Sequence, residues 1–380
     1  MRILPCNQLC QATLCVMGSR LEAKIEKCLE VGEFYEAHQI YRTLYYRLSN
    51  AKKYEELLSL LANGTENMMK ANQATSAIDL AELYADSLLV SKATAGETTL
   101  STIAKIFSIL PSHFGDSDGE KHPQEDKRTK FVSKLITWSQ SIATTKWETK
   151  RGLTALHARL GAVLRNEGSL EAARKHYLLA DKPEEMASLV VQLQTTEGYS
   201  SEIDLFPVLV AFQLICLRRV RVAGLFLSEY CRIHPKIAST AQPYPFPLLN
   251  YATFLIQAIP KHNTSHFAIL LEKYEPAIMS EPGFRLYIDK IGQMYFGLPP
   301  PRAAGPGGLL GNLFKGLLGE PAEKKDDSED EDEYCAEPME EDDYDTAPED
   351  ESKTVQKSST SRKPPPSAAS KMQDNYDDLD

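Results

Sequence analysis

Apolar residues recur along most of this chain at steps of three and four, the spacing that lines one side of an α-helix. Leu21, Ile25, Cys28 and Leu29 form the first stripe, which stops at Gly32, a residue type favoured just past a helix end. Phe34, Ala37, His38, Tyr41, Leu44, Tyr45 and Leu48 form the second. Two amphipathic helices with a glycine turn make a hairpin that cannot bury both faces alone, so it needs a neighbour, and the neighbour needs another. The pattern continues through Tyr54–Leu61, Ala74–Leu89 and Ile103–Leu110, stopped by Pro111, and resumes at Phe131 to Trp138. Residues 153–164 and 170–180 read as a further hairpin turning at Asn166–Ser169, with Ala172, Ala173 and Ala180 small enough for close helix approach. Residues 206–217 form the most apolar helix, and Val220 to Tyr230 follows it.

Pro243, Pro245 and Pro247 remove backbone donors and block a continuous helix, so this stretch is an irregular or extended excursion. Helical spacing returns at Leu248–Leu255, Phe267–Tyr274 and Tyr287–Tyr295 before Pro299, Pro300 and Pro301 end the body. Strand-like alternation is hard to find. The expected fold is all-α: a right-handed α-solenoid of stacked helical hairpins, tetratricopeptide-like, with a disordered acidic C-terminal tail.

Charge sharpens that division. The formal net charge of −11 hides a tail from Glu320 to Asp380 with 22 acidic and 7 basic residues. The rest is mildly basic, too weakly to suggest nucleic-acid binding. The tail is rich in Ser and Pro and poor in large apolar residues, so it cannot offset the entropy of ordering; Ser328 within it has the acidic surroundings of a phosphorylation site. Seven scattered cysteines without a Cys-x-x-Cys pair argue against a disulfide framework or a zinc site and for a reducing, cytosolic compartment. No apolar run approaches the roughly 20 residues of a membrane span, and residues 1–19, interrupted by polar residues and Pro5, read as a disordered leader. Residues 309–318 are a short apolar Gly/Leu island.

Little here could be an active site, a cofactor site or a metal site. His262 and His266 stand four apart, but no general base lies between them and Lys261 would repel a cation. Gly305-Pro306-Gly307-Gly308 lacks the Gly-Lys-Ser/Thr of a phosphate loop. His38, on an apolar face, reads as a hydrogen-bonded core histidine. A solenoid works by surface instead. Arg20, Lys24 and Lys27 form a basic stripe on the first helix, while Tyr35, Glu36, Gln39 and Arg42 face outward from the second.

The blocks Gly32–Arg47, Gly198–Phe206, Phe246–Asn250, Tyr287–Pro300 and Gly307–Leu313, in that order, resemble the Golgi-to-endoplasmic-reticulum traffic protein 4 family of the guided-entry pathway for tail-anchored proteins. The resemblance covers roughly residues 20 to 319. It implies a non-catalytic adaptor whose N-terminal half, residues 20–160, docks on the tail-anchored-protein targeting ATPase through Arg20, Lys24, Lys27, Tyr35, Glu36, Gln39 and Arg42. It implies that residues 161–300, with a protruding hairpin near Tyr244, grip a ubiquitin-like partner or a BAG-type scaffold chaperone in a groove lined by Tyr244, Phe246, Leu249, Phe284, Tyr287 and Ile291, aromatic anchors being strong interface residues. Residues 301–319 and 320–380 then follow as the apolar segment and the tail. Two other readings compete. A scaffold subunit of a proteasome-lid or signalosome-like assembly predicts a winged helix with strands near residues 230 to 300, and a membrane-surface protein would use residues 309–318.

Overall fold

The structure is a computed structural model that describes residues 20–112, 127–238 and 242–299. The leader before Arg20, most of the polar loop from Ser112 to Arg128, the apolar island and the acidic tail with Ser328 lie outside the described residues.

Among those residues the chain is helical and contains no strand, so the strands that a winged helix requires near residues 230 to 300 do not occur in the described part. α1 covers residues 20–31, followed by α2 (Phe34–Asn50), α3 (Tyr54–Lys70), α4 (Ala74–Ser91) and α5 (Glu97–Ile109). Then come α6 (Thr129–Ser141), α7 (Lys146–Arg151), α8 (Thr154–Asn166), α9 (Leu170–Leu179) and α10 (Pro183–Glu197). The last group is α11 (Leu205–Cys216), α12 (Val220–Ile233), α13 (Pro247–Ala258), α14 (Thr264–Ile278) and α15 (Phe284–Phe296). Periodicity as read above assigns neither α7 nor α10. α7 is a single short turn-and-a-half, whereas α10 buries Met186, Ala187, Leu189, Val190 and Leu193 along one stripe.

The turns that end the first four helices close the same way. Gly32, Lys52, Asn72 and Lys92 all have φ between 49° and 88°, the left-handed conformation that ends a helix. The residue after each donates its N–H back five positions to close the turn: Glu33 to Cys28 O, Lys53 to Leu48 O, Gln73 to Met68 O and Ala93 to Leu88 O. These turns recur every twenty residues, so the first helices have matched lengths and stack in register. Neighbours two apart in sequence then touch, as in α2 with α4, α3 with α5 and α4 with α6, and again α9 with α11 and α10 with α12. That connectivity is an α-solenoid, in which each repeat buries its apolar stripe on the next.

Small residues and buried cations hold the layers. Gly64 faces Tyr41 so closely that a Cβ there would lie 2.8 Å from the ring. Gly161, against Tyr177 and the Ala173 carbonyl, is the close approach in the α8–α9 hairpin. Arg128, 2% exposed, donates to both Glu167 oxygens at 2.8 and 3.0 Å and lies over the Phe107 ring. A buried charge is tolerated only when paired in this way. Arg219 donates to the carbonyls of Leu178 and Ala180, filling acceptors that the end of α9 leaves open.

Candidate functional site

The outer face of α1 and α2 begins the described array. Ile25 and Cys28 turn inward, which fixes the phase of α1 and leaves Arg20, Lys24 and Lys27 exposed on one flank. Val31 continues the same stripe and is 65% exposed, and Tyr35, across the Gly32 turn, is 76% exposed. Glu36 and Gln39 are exposed on α2, and Glu36 lies 3.8 Å from Lys24. The surface is thus a cationic stripe that ends in two apolar side chains.

Two features of this face depart from the sequence reading. Arg42 does not face freely outward. Its guanidinium reaches Asp79 of α4 at 3.1 and 3.3 Å, and His38 meets the same carboxylate at 2.8 Å. Bonding to Tyr46, then the Asp79 charge, raises the Arg42 pKa. His38 is therefore hydrogen-bonded, as expected, but at the half-buried edge of the core. The second departure is charge: Glu22, Glu26 and Glu30, four apart, are exposed along the other flank of α1. Their spacing is readable in the sequence, and it makes α1 a two-sided electrostatic element rather than a basic one.

Cys28, Glu33 and Glu36 bring one donor atom each within 4.8 Å of one another. The Lys24 ammonium beside Glu36 competes with any cation there, and the trio carries no metal assignment. His262 and His266 do not share a helix face: His262 closes a 3₁₀ turn at φ 47° and bonds the Tyr295 carbonyl at 3.0 Å, while α14 starts only at Thr264.

At the other end the six candidates separate. Leu249, Phe284, Tyr287 and Ile291 are buried. Phe284 and Tyr251 meet Phe212 edge-on at centroid distances of 5.2 and 6.1 Å, a favoured aromatic geometry. The Tyr287 hydroxyl accepts from Gln213 Nε2 at 3.3 Å, and Gln213 Oε1 accepts from Arg174 at 2.9 Å, tying α9, α11 and α15 together. In this arrangement the four side chains serve the core and present almost no surface. Tyr244 and Phe246 are half-buried at the proline-rich excursion. Asn250 clamps that excursion, accepting from Tyr244 N–H and donating to Tyr244 O, both at 2.7 Å. The exposed apolar residues here are others: Phe254, Ile269, Met279 and Leu286. Leu286 lies out of phase with the Phe284, Tyr287, Ile288 and Ile291 stripe, and that is the signal by which sequence could have found it.

The family model described as Golgi to ER traffic protein 4 matches residues 51–318. A Golgi to ER traffic protein 4 homolog B from Xenopus laevis is 34% identical over 311 residues, spanning 82% of this chain and 90% of that protein. The Homo sapiens homolog is 33% identical over 310 residues, spanning 82% and 89%. A solved structure described as the crystal structure of C. therm. Get4 superimposes with a TM-score of 0.64 at 23% identity, covering 82% of this chain and 99% of that one. All seven N-terminal candidates precede the span matched by the family model.

Proposed function

Because the chain belongs to the Golgi to ER traffic protein 4 family, we propose that it is a non-catalytic adaptor in the delivery of tail-anchored membrane proteins to the endoplasmic reticulum. Its α1–α2 face engages the targeting ATPase, and its C-terminal half engages an upstream ubiquitin-like or BAG-type scaffold in the cytosol. The observation that carries the reading is the exposed stripe of Arg20, Lys24, Lys27, Val31 and Tyr35 on the first hairpin of a family member's solenoid. A cationic stripe that ends in two exposed apolar side chains suits a partner whose acidic surface borders an apolar patch: charge steers the encounter and sets salt dependence, while the apolar pair, covered on binding, resists dissociation.

No helix of the described residues is long and apolar enough to cross a membrane. An adaptor needs only to hold two partners together, because tethering makes client transfer nearly intramolecular. If it prefers the nucleotide-bound ATPase, linkage requires it to tighten that enzyme's hold on nucleotide by the same factor.

The test is titration of the full chain against the tail-anchored targeting ATPase, with and without ATP, at two salt concentrations. Tighter binding with ATP, weakened by salt and by Lys24→Glu with Lys27→Glu, is expected. Tyr35→Ala should raise the dissociation rate more than it lowers the association rate. Binding indifferent to salt and to all three changes would remove this face from the proposal.

A further inference from the structure

The chain leaves α15 through Gly297, φ +67°, and turns back on its own helix. The Leu298 N–H donates to Gly292 O at 3.2 Å. Its side chain enters the seam between α14 and α15, where a Cβ on Gly292 would lie 2.7 Å from Leu298 Cδ1 and 3.3 Å from Phe267 Cε1. Beyond that point the seam stays open. One turn further along, Leu271, Glu275, Ile278 and Met279 of α14 face Arg285, Ile288 and Asp289 of α15 across a groove. Asp289 Oδ1 is buried there with no hydrogen-bond partner, a costly state for a carboxylate oxygen. Burial raises that carboxyl's pKa, with Arg285 opposing.

We propose that residues 309–318 of this same chain fill the groove, with Lys315 paired to Asp289. Five observations converge on that occupant. Leu298 already seats the chain at the near end of that seam. Ten residues, 299–308, separate Leu298 from Leu309, and at roughly 3.4 Å each they far exceed the roughly 10 Å of α15 between Gly292 and Arg285. Those ten contain no large apolar side chain, whereas Leu309, Leu310, Leu313, Phe314, Leu317 and Leu318 recur at the steps of a helix face. Lys315 is the single charge between residues 309 and 318, and the groove offers two carboxylates against one guanidinium. The span matched by the family model also ends at residue 318, just before the acidic tail begins.

The experiment places a benzoyl-phenylalanine photocrosslinker at position 314 of the full chain and maps adducts by mass spectrometry. The expected product is an adduct within one chain on the α14–α15 seam, centred on Met279 or Ile288. Lys315→Glu should lower its yield by about fivefold, the size of one favourable ion pair, and Asp289→Lys in that background should restore it. Leu313→Asp with Phe314→Asp, which leaves the described body untouched, should speed hydrogen exchange across residues 271–289. Adducts only between two chains would reassign the groove to a second copy and overturn the proposal. So would adducts elsewhere, no adduct, or exchange unchanged by the double substitution.

Discussion

The two ends of the solenoid solve the same packing problem differently. In α2 to α4 the layers approach through small buried residues, Gly64, Ala77, Ala81 and Ala85, and through turns spaced every twenty residues. In α11 to α15 the core is aromatic: Phe212, Tyr251, Phe267, Phe284, Tyr287 and Phe296, and α15 reaches back to pack on α11 as well as on α14. A repeat built on close contacts fixes both spacing and register, and its outermost hairpin faces solvent by construction. Large rings fill the volumes left when helices cross irregularly, so the C-terminal half can absorb a proline-rich excursion without losing its core. The regular end is thus suited to presenting a surface, and the irregular end to holding shape.

The strongest way to break that contrast is to empty the aromatic core. Phe284→Ala should cost about 3–5 kcal/mol in denaturant unfolding, whereas Lys24→Glu on the exposed α1 face should stay within about 0.5 kcal/mol. Comparable losses at both positions would contradict the division between core and surface.

Acid probes the middle of the array. His157 and His234 are each 1% exposed. His157 Nε2–H donates to Arg151 O at 2.8 Å, which leaves Nδ1 to accept from His176 at 2.9 Å. His234 Nε2–H donates to Gln194 Oε1 at 2.9 Å while its Nδ1 accepts from Lys236 N–H at 3.3 Å. Neither ring has room for a second proton. Burial lowers both pKa values, with Arg219 adding to the effect at His157 and Lys236 at His234; burial, then His157, takes His176 down to about 3. Above the unfolded value near pH 6.5 both states are neutral and these groups contribute no slope. Below it the unfolded chain takes up protons first, so stability falls by up to about 1.4 kcal/mol per pH unit for each histidine. Asp204 and Asp289, raised by burial, act with the opposite sign nearer the carboxylate range. Denaturant midpoints between pH 7 and 5 should show the loss, and His234→Gln should flatten it.

Two smaller effects belong to the regular end. Gly64→Ala should destabilise by about 1–3 kcal/mol through overpacking on Tyr41, although alanine is the better helix former. Lys52→Gly should stabilise by about 0.5–1 kcal/mol, because φ 57° strains a side-chain-bearing residue and not glycine. Thermal melts read both, and a stabilising Gly64→Ala would show that the close approach at Tyr41 is not needed.

Sequence by itself determined the helices, because helical phase is local: the stripes ending at Gly32, Pro111 and Pro299 delimit elements that the structure reproduces. It also determined that Arg20, Lys24, Lys27 and Tyr35 are exposed, since the buried stripe of an amphipathic helix leaves the other side to solvent. The same stripe on α10 is present in the sequence between Ala180 and Phe206, opened by Pro183 at a position where proline suits a helix start. What covers an apolar stripe is not local. Phe284, Tyr287 and Ile291 have the same pattern whether they meet a partner or their own chain, and only the return of α15 onto α11 decided that they meet Phe212 and Gln213. Long flexible cations are also beyond phase alone: Arg42 sits at an outward position, and it took Asp79 arriving on α4, thirty-seven residues away, to draw it in.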